Sequence, residues 1–216
     1  MLQNNRIGRL PSGLFKPLTV LRHLDLASNH LHALETDVFV GLQSLGDLSV
    51  DDNRLEELDH RAFNATRSLQ SFSARGNRLR TADLRILDQA PTLNHLELAQ
   101  NRITDLVPPA AAVAAAENPA GFSPASLSLL SLADNYLRTL SGKVEGVLRR
   151  DGAHLRLHGN PWHCDCRLSW LVTLLNQGRS LHRVDKPADV VCTAPPYHRD
   201  RKVTAHAIAT ACYSTR

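Results

Sequence analysis

Leu21-Arg22-His23-Leu24-Asp25-Leu26-Ala27-Ser28-Asn29-His30-Leu31 carries an L-x-x-L-x-L-x-x-N-x-L frame. The frame returns at Leu45–Leu55, Leu93–Ile103 and Leu127–Leu137, and at Leu69–Leu79 with Phe72 and Ala74 in place of two leucines. Its asparagines are Asn5, Asn29, Asn53, Asn77, Asn101, Asn135 and Asn160. The first four steps are 24 residues, the next is 34 and the last is 25. Ten residues past the asparagine stand Phe15, Phe39, Phe63 and then Leu87. One L-x-x-L-x-L arises easily by chance, whereas five near-complete copies at a fixed period mark a repeat architecture.

The physical reading follows from the spacing. In L-x-L both leucines fall on one side of a strand, and stacked turns place successive strands about 4.8 Å apart in a parallel sheet. Strands are expected to centre on Leu24–Leu26, Leu48–Val50, Phe72–Ala74, Leu96–Leu98, Leu130–Leu132 and Leu155–Leu157. Each asparagine sits where the chain leaves its strand, so its amide can satisfy buried backbone groups of adjacent turns. The seven asparagines read as a structural ladder rather than a ligand site. With 24 residues per turn, the returning arc has room only for loops and short helical turns. Between Asn101 and Asn135 ten extra residues enter, within about 106–124. They are alanine-rich and bounded by Pro109 and Pro119, which suits a short helix. The insert is either a tolerated surface bulge or a binding loop.

Composition agrees with a repeated core. Leucine occurs 36 times in 216 residues, while aromatics make up 5%. Arginine outnumbers lysine 21 to 4. Residues 1–135 hold 12 basic and 15 acidic groups, net −3, and residues 136–216 hold 13 and 6, net +7. The uncharged run Leu106–Ala116 is too short and too proline-broken to span a bilayer.

The tail reads Asn160-Pro161-Trp162-His163-Cys164-Asp165-Cys166-Arg167-Leu168-Ser169-Trp170-Leu171, followed by Cys192 and Cys212. Leu168, Leu171, Leu174 and Leu175 share one helical face, which with Trp162 and Trp170 forms an expected lid over the last turn. Four cysteines allow three pairings, and Cys164 and Cys166 are too close to pair comfortably, which leaves two. Zinc is the rival use, but C-x-C followed by long gaps departs from the usual C-x2–4-C pairs.

Repeat and tail together resemble the leucine-rich repeat family in its 24-residue extracellular form, with a carboxyl-terminal cysteine-rich cap. The resemblance covers nearly the whole chain. It implies an α/β repeat, a right-handed curved solenoid with a parallel sheet on its concave face and a disulfide-bonded cap. Residues 1–159 are then the repeats, with the first truncated, and 160–216 the cap. The family pairs first cysteine with third and second with fourth, giving Cys164–Cys192 and Cys166–Cys212. It also implies an extracellular or cell-surface location of the matrix, adhesion or Toll-like ectodomain type. A leader and an amino-terminal cap are expected ahead of Met1, because the chain starts inside a repeat. Leu2, Ile7, Leu10 and Phe15 are expected to lack a covering turn and to fray or self-associate. Asn64-Ala65-Thr66 is an acceptable N-glycosylation sequon on the arc away from the sheet.

No G-x-S-x-G, H-E-x-x-H, Walker or dinucleotide fingerprint occurs. No catalytic residue, metal site or cofactor is expected. His23, His95 and His154 share one strand position, but Asp47, Ser71 and Leu129 intervene, so a shared ion is not expected. The function expected is non-catalytic binding of an extracellular protein through the concave sheet and its arginine-lined edge. The candidate contacts are Asp25, Asp47, Asp51, Arg54, Arg75, Arg78, His95, Glu97, Arg102 and Tyr136. Arg6, His30, Arg54, Arg78, Arg102 and Tyr136 all follow a ladder asparagine, with Asp51, Asp52, Glu56 and Glu57 as possible countercharge. A solvated rim is the plain alternative reading of that edge. A second functional class is binding of sulfated polysaccharide or another acidic surface through Arg149, Arg150, Arg179, Arg183, Lys186, Arg199, Arg201 and Lys202, because the guanidinium suits sulfate geometry. Nucleic acid is not expected as a partner.

Overall fold

The computed structural model describes residues 2–110, 127–140, 144, 153–176, 183–204 and 208. Seven strands form one all-parallel sheet on the concave side of a right-handed curved solenoid: β1 (His23–Asp25), β2 (Asp47–Ser49), β3 (Ser71–Ser73), β5 (His95–Glu97), β7 (Leu129–Ser131), β8 (His154–Arg156) and β10 (Arg183–Asp185). The register aligns Leu24, Leu48, Phe72, Leu96, Leu130, Leu155 and Val184 in one row. This row faces the core, and the residues on either side of it face outward, as strand alternation requires.

Each strand lies one residue earlier than the sequence reading placed it. The second leucine of L-x-L still belongs to the ladder: the Leu26 amide donates to Ser49 O at 2.9 Å, and the Val50 amide to Ser73 O at 2.8 Å. The chain then bends outward. The residue before each ladder asparagine has a positive φ, at Asn4, Ser28, Asp52, Gly76, Gln100, Asp134 and Gly159. Left-handed backbone reverses the strand there, and glycine adopts it without the Cβ penalty. At Gly76 a Cβ would also strike the Asp52 side chain.

The ladder asparagines then tie the turns together. Asn53 Nδ2 donates to Leu26 O of the preceding turn and to Val50 O of its own, and its Oδ1 accepts from the Leu31 amide at 3.0 Å. The pattern repeats at Asn29, Asn77, Asn101, Asn135 and Asn160, all buried. Asn5 differs. It is exposed and donates only within its own turn, to Leu2 O and Gln3 O.

Between the sheet and the returning arc the core is a single cluster. Phe15, Phe39 and Phe63 stack along it with centroids 6.4 and 5.8 Å apart, and Phe72 meets Phe63 edge-on at 4.9 Å. Each fully buried leucine or phenylalanine contributes about 1.5–3 kcal/mol. Leu10 and Phe15, expected to be uncovered, are 3% exposed because the second turn closes over them, whereas Leu2 is 36% exposed. The arc holds short helices, a 3-10 turn at His60–Phe63 and α1 (Ile86–Gln89). A second small parallel sheet, absent from the sequence reading, pairs β4 (Thr81–Asp83) with β6 (Asp105–Val107). The helix expected from Pro109 lies past Ala110, outside the described residues.

In the carboxyl-terminal part, Trp162 of β9 (Trp162–His163) is fully buried, and its indole donates to Leu157 O at 3.2 Å. Helix α2 (Ser169–Asn176) buries Leu171 and Val172, with Leu175 packed at its margin. β9 pairs with β11 (Cys192–Ala194), and Cys164 is disulfide-bonded to Cys192. Cys166 is also disulfide-bonded, and Cys212, its expected partner, lies outside the described residues. The repeat pattern does not extend to Arg183–Asp185, yet this segment adds the seventh strand beside β8.

Candidate protein-binding face

Three outward-facing columns run across the concave sheet. The first is His23, Asp47, Ser71, His95, Leu129 and His154, and the second is Asp25, Ser49, Ser73, Glu97, Ser131, Arg156 and Asp185. The third, set by the bonds just past each strand, is Asp51, Arg75, Ala99, Ala133 and His158. Alternation dictates this composition. Most of these positions have no packing duty, so polar and charged side chains occupy them at little cost to the core, whereas Ala99, Ser131 and Ala133 are buried. Among the described residues, no group of three His, Cys, Asp or Glu could hold a metal.

The face is divided electrostatically. Its amino-terminal half is acidic, with Asp25, Asp47 and Asp51 among serines. His23 Nδ1 meets Asp47 Oδ2 at 2.6 Å at the exposed margin. Asp51 accepts from Ser73 Oγ at 2.5 Å and from the Arg75 amide at 2.8 Å, and forms no ion pair among the described residues. Burial pushes its carboxyl above the usual range, against the pull of those two bonds. Asp25 caps the turn by accepting from the Ala27 amide at 2.9 Å.

The other half is a paired network. Arg156 reaches Glu97 at 3.2 Å on one side and Asp185 at 3.1 Å on the other, and His154 meets Asp185 at 3.4 Å. The arm of Arg156 passes over β7, where Ser131 is fully buried and its Oγ has no partner. Asp185 is held below the usual carboxylate range by its bonds from Arg156 and His154, which outweigh its partial burial. Beside this network lies a hollow of about 560 Å³ lined by Arg75, Glu97, Ser131, Arg156, His158 and Lys186.

The structure therefore brings Asp25, Asp47, Asp51, Arg75, His95 and Glu97 together on the concave sheet. Arg54, Arg78, Arg102 and Tyr136 lie on the adjoining edge, one backbone ladder further along the turn. There the Arg78 amide donates to Leu55 O, the Arg102 amide to Leu79 O and the Tyr136 amide to Ile103 O. The expected countercharges form no ion pair with this edge. Asp51 is engaged with Ser73 and Arg75, and neither Glu56 nor Glu57 forms an ion pair among the described residues. Arg156 and Asp185 were missed by the sequence reading. Arg156 shares the strand position of Asp25 and Glu97, a signal legible in the repeat, whereas Asp185 sits in a segment without the repeat.

Of the basic candidates, Arg199, Arg201, Lys202 and Lys186 are exposed, and Lys186 lines the concave hollow. The Arg183 backbone is in β10, and Arg149, Arg150 and Arg179 lie outside the described residues. Asn64 is exposed just after the 3-10 turn, while the Thr66 hydroxyl of its sequon is buried and donates to Phe63 O.

With asparagine-tied turns on one parallel sheet, the family model for the leucine rich repeat matches residues 1–55. The match marks those residues as leucine-rich repeats, and the fold of the described residues is a solenoid of that kind. A phospholipase A2 inhibitor of Gloydius brevicaudus siniticus is 37% identical over 79 residues, covering 37% of this chain and 23% of that protein. Transforming growth factor beta activator LRRC32 of Mus musculus is 36% identical over 100 residues, covering 46% and 13%. The chain thus spans less than a quarter of the length of these curated relatives. The structure of human 5T4, a trophoblast glycoprotein, superposes with a TM-score of 0.62 at 22% identity over 94% of this chain and 82% of that one, a likeness of fold. An octameric complex of Latrophilin 3, Unc5D and the leucine-rich repeats of FLRT2 matches with a TM-score of 0.78 at 25% identity, over 98% of this chain and 60% of that chain.

Proposed function

We propose that this chain is a non-catalytic extracellular module that binds a protein partner on its concave sheet, with the arginine-lined edge as the rim of that interface. The observation that carries the reading is the concave face itself. Seven strands hold three columns of outward side chains rigidly at about 4.8 Å steps, most of them without a packing role. A rigid face presenting varied groups suits recognition, because little ordering entropy is lost on docking. The FLRT2 repeats, whose fold this chain shares, occur in a complex with other proteins. An extracellular location agrees with the cap disulfide, since such bonds persist in oxidising compartments.

The test is a glycan wedge. Ser71→Asn completes an N-x-S sequon with Phe72 and Ser73, and Asp47→Asn completes one with Leu48 and Ser49. Each would place a sugar chain on the concave sheet. The chain secreted from cultured cells is tetramerised and screened against a panel of extracellular domains. Both glycosylated variants should lose the partner that wild type binds and keep its melting temperature. Undiminished binding by both would refute the concave-face reading.

A further inference from the structure

Several arginines of this fold are neutralised locally. Arg9 reaches Glu35 at 2.7 Å, Arg61 reaches Asp59 at 2.7 Å, Arg85 reaches Asp83 at 2.8 Å and Arg167 reaches Asp165 at 2.6 Å. Among the described arginines that form no ion pair, five recur at two positions of the repeat. Arg54, Arg78 and Arg102 stand one residue past a ladder asparagine, and Arg80 and Arg138 stand three past. The residues between, Leu55, Leu79, Ile103 and Leu137, are fully buried. In extended backbone their flanking neighbours both face outward.

Backbone bonds hold these positions in register. Arg78 N donates to Leu55 O at 2.8 Å, Arg102 N to Leu79 O at 2.9 Å and Thr104 N to Arg80 O at 3.0 Å. The five guanidinium groups therefore form a strip across four consecutive turns. Among the described residues none of the five forms an ion pair or a side-chain hydrogen bond. Glu56, Glu57 and Asp105 are the acidic groups of the same strip, and none of them pairs with these arginines. Arg6 holds the same position one past Asn5, separated from the strip by His30, while Arg22, Arg67 and Arg75 fall at other repeat positions.

Like charges on adjacent turns repel, and an external anion spanning several turns relieves that repulsion. The chemistry narrows the anion. The guanidinium fork matches the oxygens of a sulfate or carboxylate in pairs. The strip repeats with the turns, so it fits a polymer whose charges also repeat. It carries one exposed aromatic residue, Tyr136, and lacks the apolar centre that marks protein interfaces. We infer that the strip of Arg54, Arg78, Arg80, Arg102 and Arg138 binds a linear sulfated polysaccharide. This ligand shares the arginine edge with the rim proposed for the protein interface, while the concave columns are left to the protein, and its site is distinct from the basic carboxyl-terminal part.

The experiment uses the full chain and immobilised heparin as the probe, with affinity read by surface plasmon resonance across a salt series. Wild type should bind, with log K falling linearly in log salt. The triple variant R78Q/R102Q/R138Q should weaken binding by about tenfold or more and lower the salt slope by about one per arginine removed. The variant R199Q/R201Q/K202Q should bind nearly as wild type. Replacing the same three strip arginines by lysine keeps the charge, and should restore part of the affinity and the full salt slope. If the triple glutamine variant folds poorly, R78Q alone carries the test with a proportionally smaller loss.

Absence of heparin binding by wild type at physiological salt would overturn the inference. So would loss of binding in the 199/201/202 variant with the strip variant unaffected. Equal or tighter binding of polyglutamate than of heparin would assign the strip to an acidic protein segment instead. Because the glycan wedges lie on the concave sheet, they should leave heparin binding intact, which separates this result from the fate of the protein-partner reading.

Discussion

Replacing Asn77 by alanine removes one complete rung of the ladder, and its cost follows from the bonds lost. Asn77 is 6% exposed; its Nδ2 donates to Val50 O at 3.0 Å, Ala74 O at 3.1 Å and Arg75 O at 3.3 Å, and its Oδ1 accepts from the Leu55 amide at 3.0 Å. All three carbonyls keep another donor, because Asn53 also serves Val50 O, Asn101 also serves Ala74 O and the Asp52 amide serves Arg75 O. The Leu55 amide has no substitute, and Leu55 is fully buried. An orphaned buried donor costs about 1–3 kcal/mol and each of the three lost bonds to a shared acceptor about 0.5–1 kcal/mol, so the total is about 2.5–6 kcal/mol. For a chain of this size that corresponds to a fall in Tm of about 5–15 °C. Hydrogen exchange supplies the sharper assay, because solenoids open locally. The Leu55 amide should lose protection well beyond that of Leu31, whose acceptor Asn53 is untouched. Asn5→Ala is the control and should change Tm by less than about 2 °C, since Asn5 is exposed and bonds within its own turn. Equal effects of the two substitutions, or an Asn77→Ala cost below about 1 kcal/mol, would refute the ladder reasoning.

Two further outcomes test other parts of the fold. Cys192→Ser opens a bridge of sequence separation 28 and should destabilise the chain by about 3–4 kcal/mol, measured by chemical denaturation under oxidising conditions and accompanied by reduced secretion. Unchanged stability of that variant would remove the disulfide from the structural account. Asp51→Asn tests a carboxylate that forms no ion pair among the described residues. Its folded pKa is raised, so the stability contributed by the neutral form is present below the unfolded value of 3.8 and is lost as pH rises through the folded pKa. The substitution should therefore raise Tm at pH 7, more than at pH 3, while weakening partner binding. Asp59 runs the opposite way: its carboxyl is lowered to about 2, chiefly by its bonds from Arg61, so its contribution is present above 3.8 and fades as pH falls towards 2. A drop in Tm at pH 7 for Asp51→Asn would show that the carboxylate is supported rather than strained.

The sequence alone determined the solenoid, its sheet, its core rows and the asparagine rungs, because each repeat carries the same short-range instructions and parallel stacking copies them turn after turn. Leu24 aligning with Leu48 and Phe72 needs nothing beyond a constant period. The concave columns follow from the same alternation, which is why Asp25, Asp47, His95 and Glu97 were legible as neighbours. Tertiary structure decided whatever the period does not carry. The seventh strand, Arg183–Asp185, comes from a segment with no repeat, and only its placement beside β8 brings Asp185 to Arg156. The strand from Thr81 to Asp83 has a partner only because Asp105–Val107 lies against it. Which arginines are paired was also beyond the sequence. Arg61 and Arg85 each have an acid two residues earlier within reach, at Asp59 and Asp83. Arg78 has its nearest acid along the chain five residues on, at Asp83, which is taken by Arg85 and His60. Ion pairing depends on angstrom-scale side-chain reach, and a repeat period specifies position around the turn without specifying that reach.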